Sequence, residues 1–346
     1  MRPRPATFPV VMAVGLLALA AAMTAFLLWP SGKEAGRSGV AAPDCPTDIR
    51  HPPPPPPRSA IGLGRPLFAY HPVSLTRDLQ LALRDENGCR AGIVVDWEAK
   101  AILWKKNDTE PRPIASLTKM FTALQVCRNL EADPGFSLKS PVKITRLAAN
   151  SRVGGSQVGF YLGEVFSIDQ LLEFMLVYSA NDAAHQLAEC FGKGNPAKFV
   201  EQMNETVKQA GWSNFRFYNA HGFPEGVNRS ENTGSALELV ELTGMLLDYP
   251  DIVRHANAKE VAIPASSLRQ KPFRMLNRND LLRTCEGCCG MKTGNTIKAG
   301  FCISAVCRRN GRTIIVVVLG CPREGDRDTL VKALFAWAYS VSPRSP

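Results

Sequence analysis

Runs of like charge are missing from this sequence: no stretch of lysine or arginine exceeds two residues, and no basic stripe is interleaved with aromatics. The net charge of +10, from 41 Lys+Arg against 31 Asp+Glu, is therefore spread thinly. That pattern lacks the clustered footprint that grips a phosphate backbone, so no nucleic-acid partner is expected. A scattered basic surface suits an anionic polymer nearby instead. No well-spaced pair is found among the five histidines, and the C-x-x-C at positions 285 and 288 has no second copy. Structural zinc sites need more ligands than this. The stretch "CEGCC" (Cys285, Cys288, Cys289) accordingly reads as a disulfide or as plain buried thiols, and no metal site is expected. Cys45 follows Ala42-Pro43-Asp44, which does not resemble a lipoprotein cleavage site. With 21% charged and 45% hydrophobic residues, the 346-residue chain can bury a sizeable core. Its length allows one large domain or two small ones plus extensions.

Among the features present, residues 8–29 form a nearly continuous apolar stretch behind Arg2 and Arg4. A bilayer-spanning helix needs about 20 such residues, and basic residues ahead of it favour an N-terminus inside the cell. A cleaved signal peptide is the competing reading, because Ala20-Ala21-Ala22 offers small residues at a cut site. The apolar run continues past that site to Trp29, which favours a retained anchor over residues 1–30. The expected location is then a single-pass protein of the inner (cytoplasmic) membrane, with the rest of the chain in the periplasm or outside the cell. Ten cysteines fit an oxidising compartment, although their pairing cannot be read from sequence. Residues 31–69 read as a linker containing six consecutive prolines, Pro52 to Pro57. Such a run is a stiff polyproline II spacer of about 3.1 Å per residue. The folded domain is expected over 70–346.

Within that domain, "SLTRDLQLALRDEN" reads as an amphipathic helix with a Ser or Thr cap. "CRAGIVVDWEAKAILWKKN" reads as two strands joined at Glu98-Ala99-Lys100. Helical spacing of apolar residues recurs over 116–130, 168–178, 181–192 and 197–210. "AGFCISAVCRRNGRTIIVVVLG" is the clearest hairpin, because Asn310-Gly311 tolerates the positive φ of a type I′ turn. "DRDTLVKALFAWAYSV" is a terminal helix that packs on the sheet. First and last strands must therefore meet. The expected class is α/β (α+β): an antiparallel sheet of about five strands covered by helices, plus an all-helical cluster.

Three polar clusters carry the candidate chemistry. In Ser116-Leu117-Thr118-Lys119, positions i and i+3 of a helix share a face, so the Lys amine can reach the Ser hydroxyl. A free Ser needs an adjacent base to become a nucleophile, and at a helix start its N–H is free to bind an oxyanion. The same four residues also fit a helix cap followed by a solvated Lys. Ser179 and Asn181 fall at a helix junction, where they either cap or point into a cleft. Lys292-Thr293-Gly294 enters the last hairpin, where Lys and Thr could bind a carboxylate and Gly could leave room for a ligand.

Together and in this order, S-x-x-K, S-x-N and K-T-G form the set found in penicillin-binding proteins and class A β-lactamases. On these motifs, with "FYNAHGFP" and "GRTIIVVVLGCP", the chain resembles the serine D-alanyl-D-alanine carboxypeptidases over roughly residues 88–340. The resemblance implies a β-lactamase/transpeptidase-like fold. It implies Ser116 as nucleophile, Lys119 as its base, Ser179 as a proton relay and Asn181 as an orienting amide. It also implies that Lys292 and Thr293 hold the substrate carboxylate, and that the Ser116 and Asn295 N–H groups form the oxyanion hole beside Gly294. Burial and the charge of Lys292 should lower the pKa of Lys119. No cofactor is implied. The implied partners are peptidoglycan stem peptides ending in D-Ala-D-Ala and, as covalent inhibitors, β-lactams. A D,D-endopeptidase is the alternative, as is a serine β-lactamase. For the latter, Glu225-Gly226-Val227-Asn228 superficially offers a deacylating Glu, but Ser179-Ala180-Asn181 lacks the usual middle Asp. His221 is expected to be structural. The family's C-terminal β-domain and amphipathic tail have no counterpart after "AWAYSVSPRSP", so membrane attachment is expected at the N-terminal segment.

Overall fold

Two apolar runs meeting at Asn310-Gly311 set the centre of the fold. Asn310 (φ 50°) and Gly311 (φ 76°) both adopt the left-handed conformation that a type I′ turn requires. The run 314–318 (IIVVV) does not alternate with polar residues because both its faces are covered. Ile315 and Val317 belong to one apolar core, and Ile314, Val316 and Val318 to another. The computed structural model describes residues 66–84, 88–150, 154–224 and 230–341. The expected membrane segment, the proline run, Cys45 and Glu225-Gly226-Val227-Asn228 lie outside the described residues. No helix among the described residues is long and apolar enough to cross a membrane.

One sheet contains β1 (Ala69–Tyr70), β2 (Ala91–Asp96), β3 (Ala101–Lys106), β10 (Cys288–Thr296), β11 (Gly300–Arg309) and β12 (Arg312–Cys321). Its order is β1-β3-β2-β12-β11-β10, so the first and last strands of the domain do pair, β2 antiparallel to β12. The expected antiparallel sheet of five strands is present. It gains a sixth, because the two residues of β1 pair parallel with β3 and bring Ala69, assigned to the linker, into the sheet. Two residues carry no readable period, which is why sequence patterning passes over this strand. Short antiparallel ladders join β4 (Arg112–Pro113) to β7 (Thr233–Gly234), β5 (Pro141–Lys143) to β6 (Val165–Ser167), and β8 (Glu260–Ile263) to β9 (Phe273–Leu276).

Helices α1 (Arg77–Ala82) and α10 (Glu324–Ser340), with the short α9 (Leu281–Thr284), cover one face. Thr76 caps α1, accepting from Leu79 N–H at 3.3 Å. On the other face lies the helical cluster: α2 (Thr118–Ala132), α3 (Arg146–Ala149), α4 (Ile168–Val177), α5 (Asn181–Phe191), α6 (Pro196–Gln209), α7 (Ala236–Leu246) and α8 (Pro250–Asn257). Three of these match the predicted helices to within one residue at each end.

The core of this cluster reaches the site directly. Phe121 on α2 packs against Trp212, Phe215 and Phe217, with ring centroids 4.5 to 5.8 Å apart. Offset and edge-on aromatic pairs of this kind contribute about 0.5–1.5 kcal/mol beyond the area they bury. They press the 212–221 segment onto α2, where Thr122 Oγ1 donates to the Ala220 carbonyl at 2.6 Å. None of the nine described cysteines is in a disulfide, and in "CEGCC" Cys288 and Cys289 are buried thiols while Cys285 is half-buried.

Candidate active site

Ser116 does not cap. It sits in a 3₁₀ turn, Ala115–Leu117, ahead of α2, and neither the turn nor α2 has a side-chain cap. Its Oγ instead lies 3.0 Å from Lys119 Nζ. Lys119 is fully buried, at 0% exposure, and Nζ is 2.6 Å from both Asn181 Oδ1 and the His221 carbonyl oxygen. A neutral amine has two N–H bonds and one lone pair. With both N–H groups taken by the two closer acceptors, the lone pair is left facing the Ser116 hydroxyl. An ammonium would also satisfy these three contacts, so the pKa decides the protonation state. Burial, then the charge of Lys292, holds Lys119 well below the ordinary lysine value, opposed by Asp182.

The α4–α5 junction brings in the second cluster. α5 begins without a side-chain cap, so the capping reading of Ser179 and Asn181 does not hold. Asn181 spans the cleft floor: its Oδ1 meets Lys119 and its Nδ2 donates to the Gly154 carbonyl. The neighbouring Asp182 carboxylate accepts from the N–H groups of Val158 (3.1 Å) and Gly159 (2.9 Å), tying the 154–160 segment to α5. Ser179 is held in the left-handed region (φ 66°), as is Ala115 (φ 48°) beside the other serine. Both residues have side chains, and neither conformation is cheap.

The third cluster lies on β10, at the edge of the sheet. A Cβ added to Gly294 would lie 2.8 Å from Ser116 N and 3.1 Å from Leu117 N. The space that this glycine leaves is thus occupied by the Ser116 turn itself, not held open for a ligand. Gly222 serves the opposite side: it has φ +82°, and a Cβ there would come 1.9 Å from the Ala115 carbonyl oxygen. Asn219 and Asn232 complete this collar. Asn219 Oδ1 accepts from Gly222 N–H at 2.7 Å, and Asn232 Nδ2 donates to Thr118 Oγ1 at 3.1 Å. His221 is buried; its carbonyl binds Lys119 and its Nδ1 accepts from Phe223 N–H at 3.1 Å, a structural role as expected.

Six of the eight expected site residues line one open cleft of about 1970 Å³: Ser116, Ser179, Asn181, Thr293, Gly294 and Asn295. The two lysines stand behind its wall. Lys292 is 2% exposed, and its Nζ donates to the Thr293 carbonyl at 2.9 Å. Burial first, then the Arg327 and Arg278 guanidinium groups, push its pKa down to about 7. Both arginines line the cleft, and sequence reasoning missed them, together with Asp182, Asn219, Gly222 and Asn232. Nothing local marks these residues; each acts across the fold.

The two depressed lysines make stability depend on pH. Below about 7, Lys292 is charged in both the folded and unfolded chain, and the full desolvation cost is felt. Between there and the ordinary value of 10.5 the unfolded chain holds a proton that the native one lacks, so stability rises with pH. Above 9.0 the buried thiols of Cys127, Cys288 and Cys302, pushed up to about 12, work in the opposite sense. For Lys292 the expected slope from pH 7 to 9 is up to about 1.4 kcal/mol per pH unit, and Lys119 adds a slope of the same sign. Denaturant unfolding at a series of pH values should show Lys292→Met lowering the slope by up to about 1.4 kcal/mol per pH unit, within the same linkage arithmetic. An unchanged slope would contradict the assignment.

The chain matches the Peptidase S11 family, described as D-alanyl-D-alanine carboxypeptidase, over residues 81–323. It is 28% identical over 257 residues to the D-alanyl-D-alanine carboxypeptidase DacF of Bacillus subtilis, covering 74% of this chain and 64% of that one. The chain thus spans somewhat less than two thirds of that relative's length. Its fold is similar to the D-alanyl-D-alanine carboxypeptidase DacD of Francisella tularensis (TM-score 0.68, 27% identity, 81% of this chain and 75% of that one). It is also similar to penicillin-binding protein D2 of Listeria monocytogenes, solved in an ampicillin-bound form (TM-score 0.61, 26% identity, 72% of this chain and 97% of that one).

Proposed function

Since this chain belongs to the Peptidase S11 family of D-alanyl-D-alanine carboxypeptidases, we propose that it removes the terminal D-alanine from peptidoglycan stem peptides through an acyl-enzyme on Ser116. The observation that carries this reading is the buried Lys119 amine, 3.0 Å from the Ser116 hydroxyl and depressed in pKa. Ser116 Oγ attacks the carbonyl of the penultimate D-alanine while its proton passes to Lys119 Nζ. The oxyanion that forms is met by the N–H groups of Ser116 and Asn295. Ser179 relays a proton to the departing amine, D-alanine leaves, and water hydrolyses the ester. Asn181 orients the substrate amide and holds Lys119 in place. Lys292 and Thr293 receive the terminal carboxylate, with Arg278 and Arg327 adding positive charge to that end of the cleft. A β-lactam presents a strained amide and a carboxylate at similar spacing, so it acylates the same serine and then leaves slowly. The apolar N-terminal stretch holds the domain at the outer side of the cytoplasmic membrane.

Mass spectrometry of muropeptides after incubation with the protein tests this. Conversion of pentapeptide to tetrapeptide, with release of one D-alanine, is the expected result. Cleavage of crosslinked dimers without that release would make the protein an endopeptidase. Rapid turnover of penicillin instead of a stable adduct would make it a β-lactamase.

A further inference from the structure

Three thiols meet where the chain turns into β10, and none of them lines the cleft. Cys285 closes α9, Cys288 opens β10, and Cys307 on β11 stands opposite Cys288 in the strand register. The turn between them is firmly built. Cys288 N–H donates to the Cys285 carbonyl at 3.2 Å, and Arg308 N–H to the Gly287 carbonyl at 2.8 Å. The side chains of Cys285 and Cys307 converge on one atom, the Glu286 carbonyl oxygen, with Cys307 Sγ at 3.4 Å and Cys285 Sγ at 3.9 Å. Arg309 reaches over the same turn: its Nη2 is 3.8 Å from Cys285 Sγ and its Nε donates to the Glu286 carbonyl at 3.0 Å. Tyr339 of α10 fixes that guanidinium with its ring, 5.1 Å away, and donates its hydroxyl to the Cys307 carbonyl at 2.8 Å.

The two partners differ in accessibility and charge environment. Cys285 is half-buried, with Arg309 and Lys332 as its cationic neighbours. The Cys307 S–H, against the opposing effect of burial, brings the Cys285 thiol down to about 6, with further help from Arg309. Cys307 holds its proton more tightly, first through the neighbouring Cys285 sulfur and then through burial, and burial raises Cys89, Cys127, Cys190, Cys302 and Cys321. An accessible thiolate beside a protonated second thiol is the arrangement of an attacking cysteine with its resolving partner.

We propose that Cys285 and Cys307 form a thiol–disulfide exchange site that takes low-molecular-weight disulfides and closes to an intramolecular disulfide. The Cys285 thiolate attacks one sulfur of RSSR, forming Cys285–S–S–R and expelling RS⁻. Cys307 then gives up its proton and attacks Cys285 Sγ, expelling the second RS⁻. Two protein thiols are oxidised and one RSSR is reduced to two RSH. The closed loop runs from 285 to 307 and contains Lys292, Thr293, Gly294 and Asn295, so oxidation staples the base of the hairpin that forms the cleft wall.

Oxidised glutathione is the probe. The full-length protein is incubated with it at neutral pH, quenched by alkylation, digested and mapped by mass spectrometry over time. The expected sequence is a glutathione adduct on Cys285 first, then a peptide crosslinked between Cys285 and Cys307, with a higher unfolding temperature. Iodoacetamide should modify Cys285 about tenfold faster than any other described thiol, as thiolate character dictates. In Cys307→Ser the adduct on Cys285 should persist. A first adduct elsewhere, uniform labelling of the thiols, or a crosslink from Cys285 to Cys288 overturns the proposal. The wild-type maps alone decide this, should the variant not fold.

Discussion

Ser116→Ala is expected to abolish both D-alanine release and covalent labelling by penicillin, with activity falling by about 10⁴-fold or more, the scale at which loss of a catalytic serine is felt. Stability should hardly change. Ser116 is only partly buried, and its Oγ meets Lys119 Nζ, which keeps two shorter contacts to Asn181 Oδ1 and the His221 carbonyl. Deleting one hydroxyl here leaves no buried group unpartnered and opens little volume, so the unfolding free energy should move by no more than about 0.5–1 kcal/mol. Separation of these two effects is the informative result. A Ser116→Ala variant that unfolds like the wild type yet retains activity within tenfold would put the nucleophile elsewhere, Ser179 being another hydroxyl that lines the cleft.

Replacement of Lys119 is expected to cost about 10²–10⁴-fold in the acylation rate, the range typical of a general base. Lys119→Arg should be no better than Lys119→Met, because a guanidinium remains protonated throughout the accessible pH range. The pH profile carries the finer information. Only the neutral amine accepts the Ser116 proton, so kcat/KM should rise with pH on the acid limb, tenfold per unit, up to the depressed pKa of Lys119. Lys292 acts in the opposite direction. In its proposed role it would bind an anionic substrate end only when protonated, so an alkaline limb should begin near its value of about 7 in the free enzyme. Lys292→Arg should remove the alkaline limb while leaving the acid limb intact. Stopped-flow acylation by a chromogenic cephalosporin measures both. An acid limb centred at the ordinary lysine value of 10.5 would show that Lys119 is not depressed and cannot serve as described.

Much of this arrangement was legible because strands and helices declare themselves by period. The 300–321 hairpin and the helices over 168–210 follow directly from apolar spacing and from Asn310-Gly311. The three clusters were legible only as a set. Ser116-Leu117-Thr118-Lys119 alone fits a cap, Ser179 and Asn181 alone fit a helix junction, and order along the chain gave them meaning. What escaped has one physical character: its role depends on a group far away along the chain. Gly222 matters because the Ala115 carbonyl is there, Asn232 because Thr118 is, and the His221 carbonyl because Lys119 is. No local spacing encodes such meetings. The sequence left the cysteines open between disulfides and buried thiols; an oxidising compartment argues for pairing, but none of the nine described cysteines forms a disulfide and most are buried.

The left-handed backbone at Ala115 and Ser179 means that the reactive motif is not a portable unit. Each such residue costs roughly 1–3 kcal/mol, and only surroundings that over-determine it keep it there. Here those surroundings are the Gly222 collar on one side and the close-packed α4–α5 junction on the other. Spliced onto a different helix start, Ser-Leu-Thr-Lys would relax to an ordinary first turn. Its serine would swing off the line between lysine and carbonyl. The letters would survive the transplant, and the reactivity would stay behind with the enclosure.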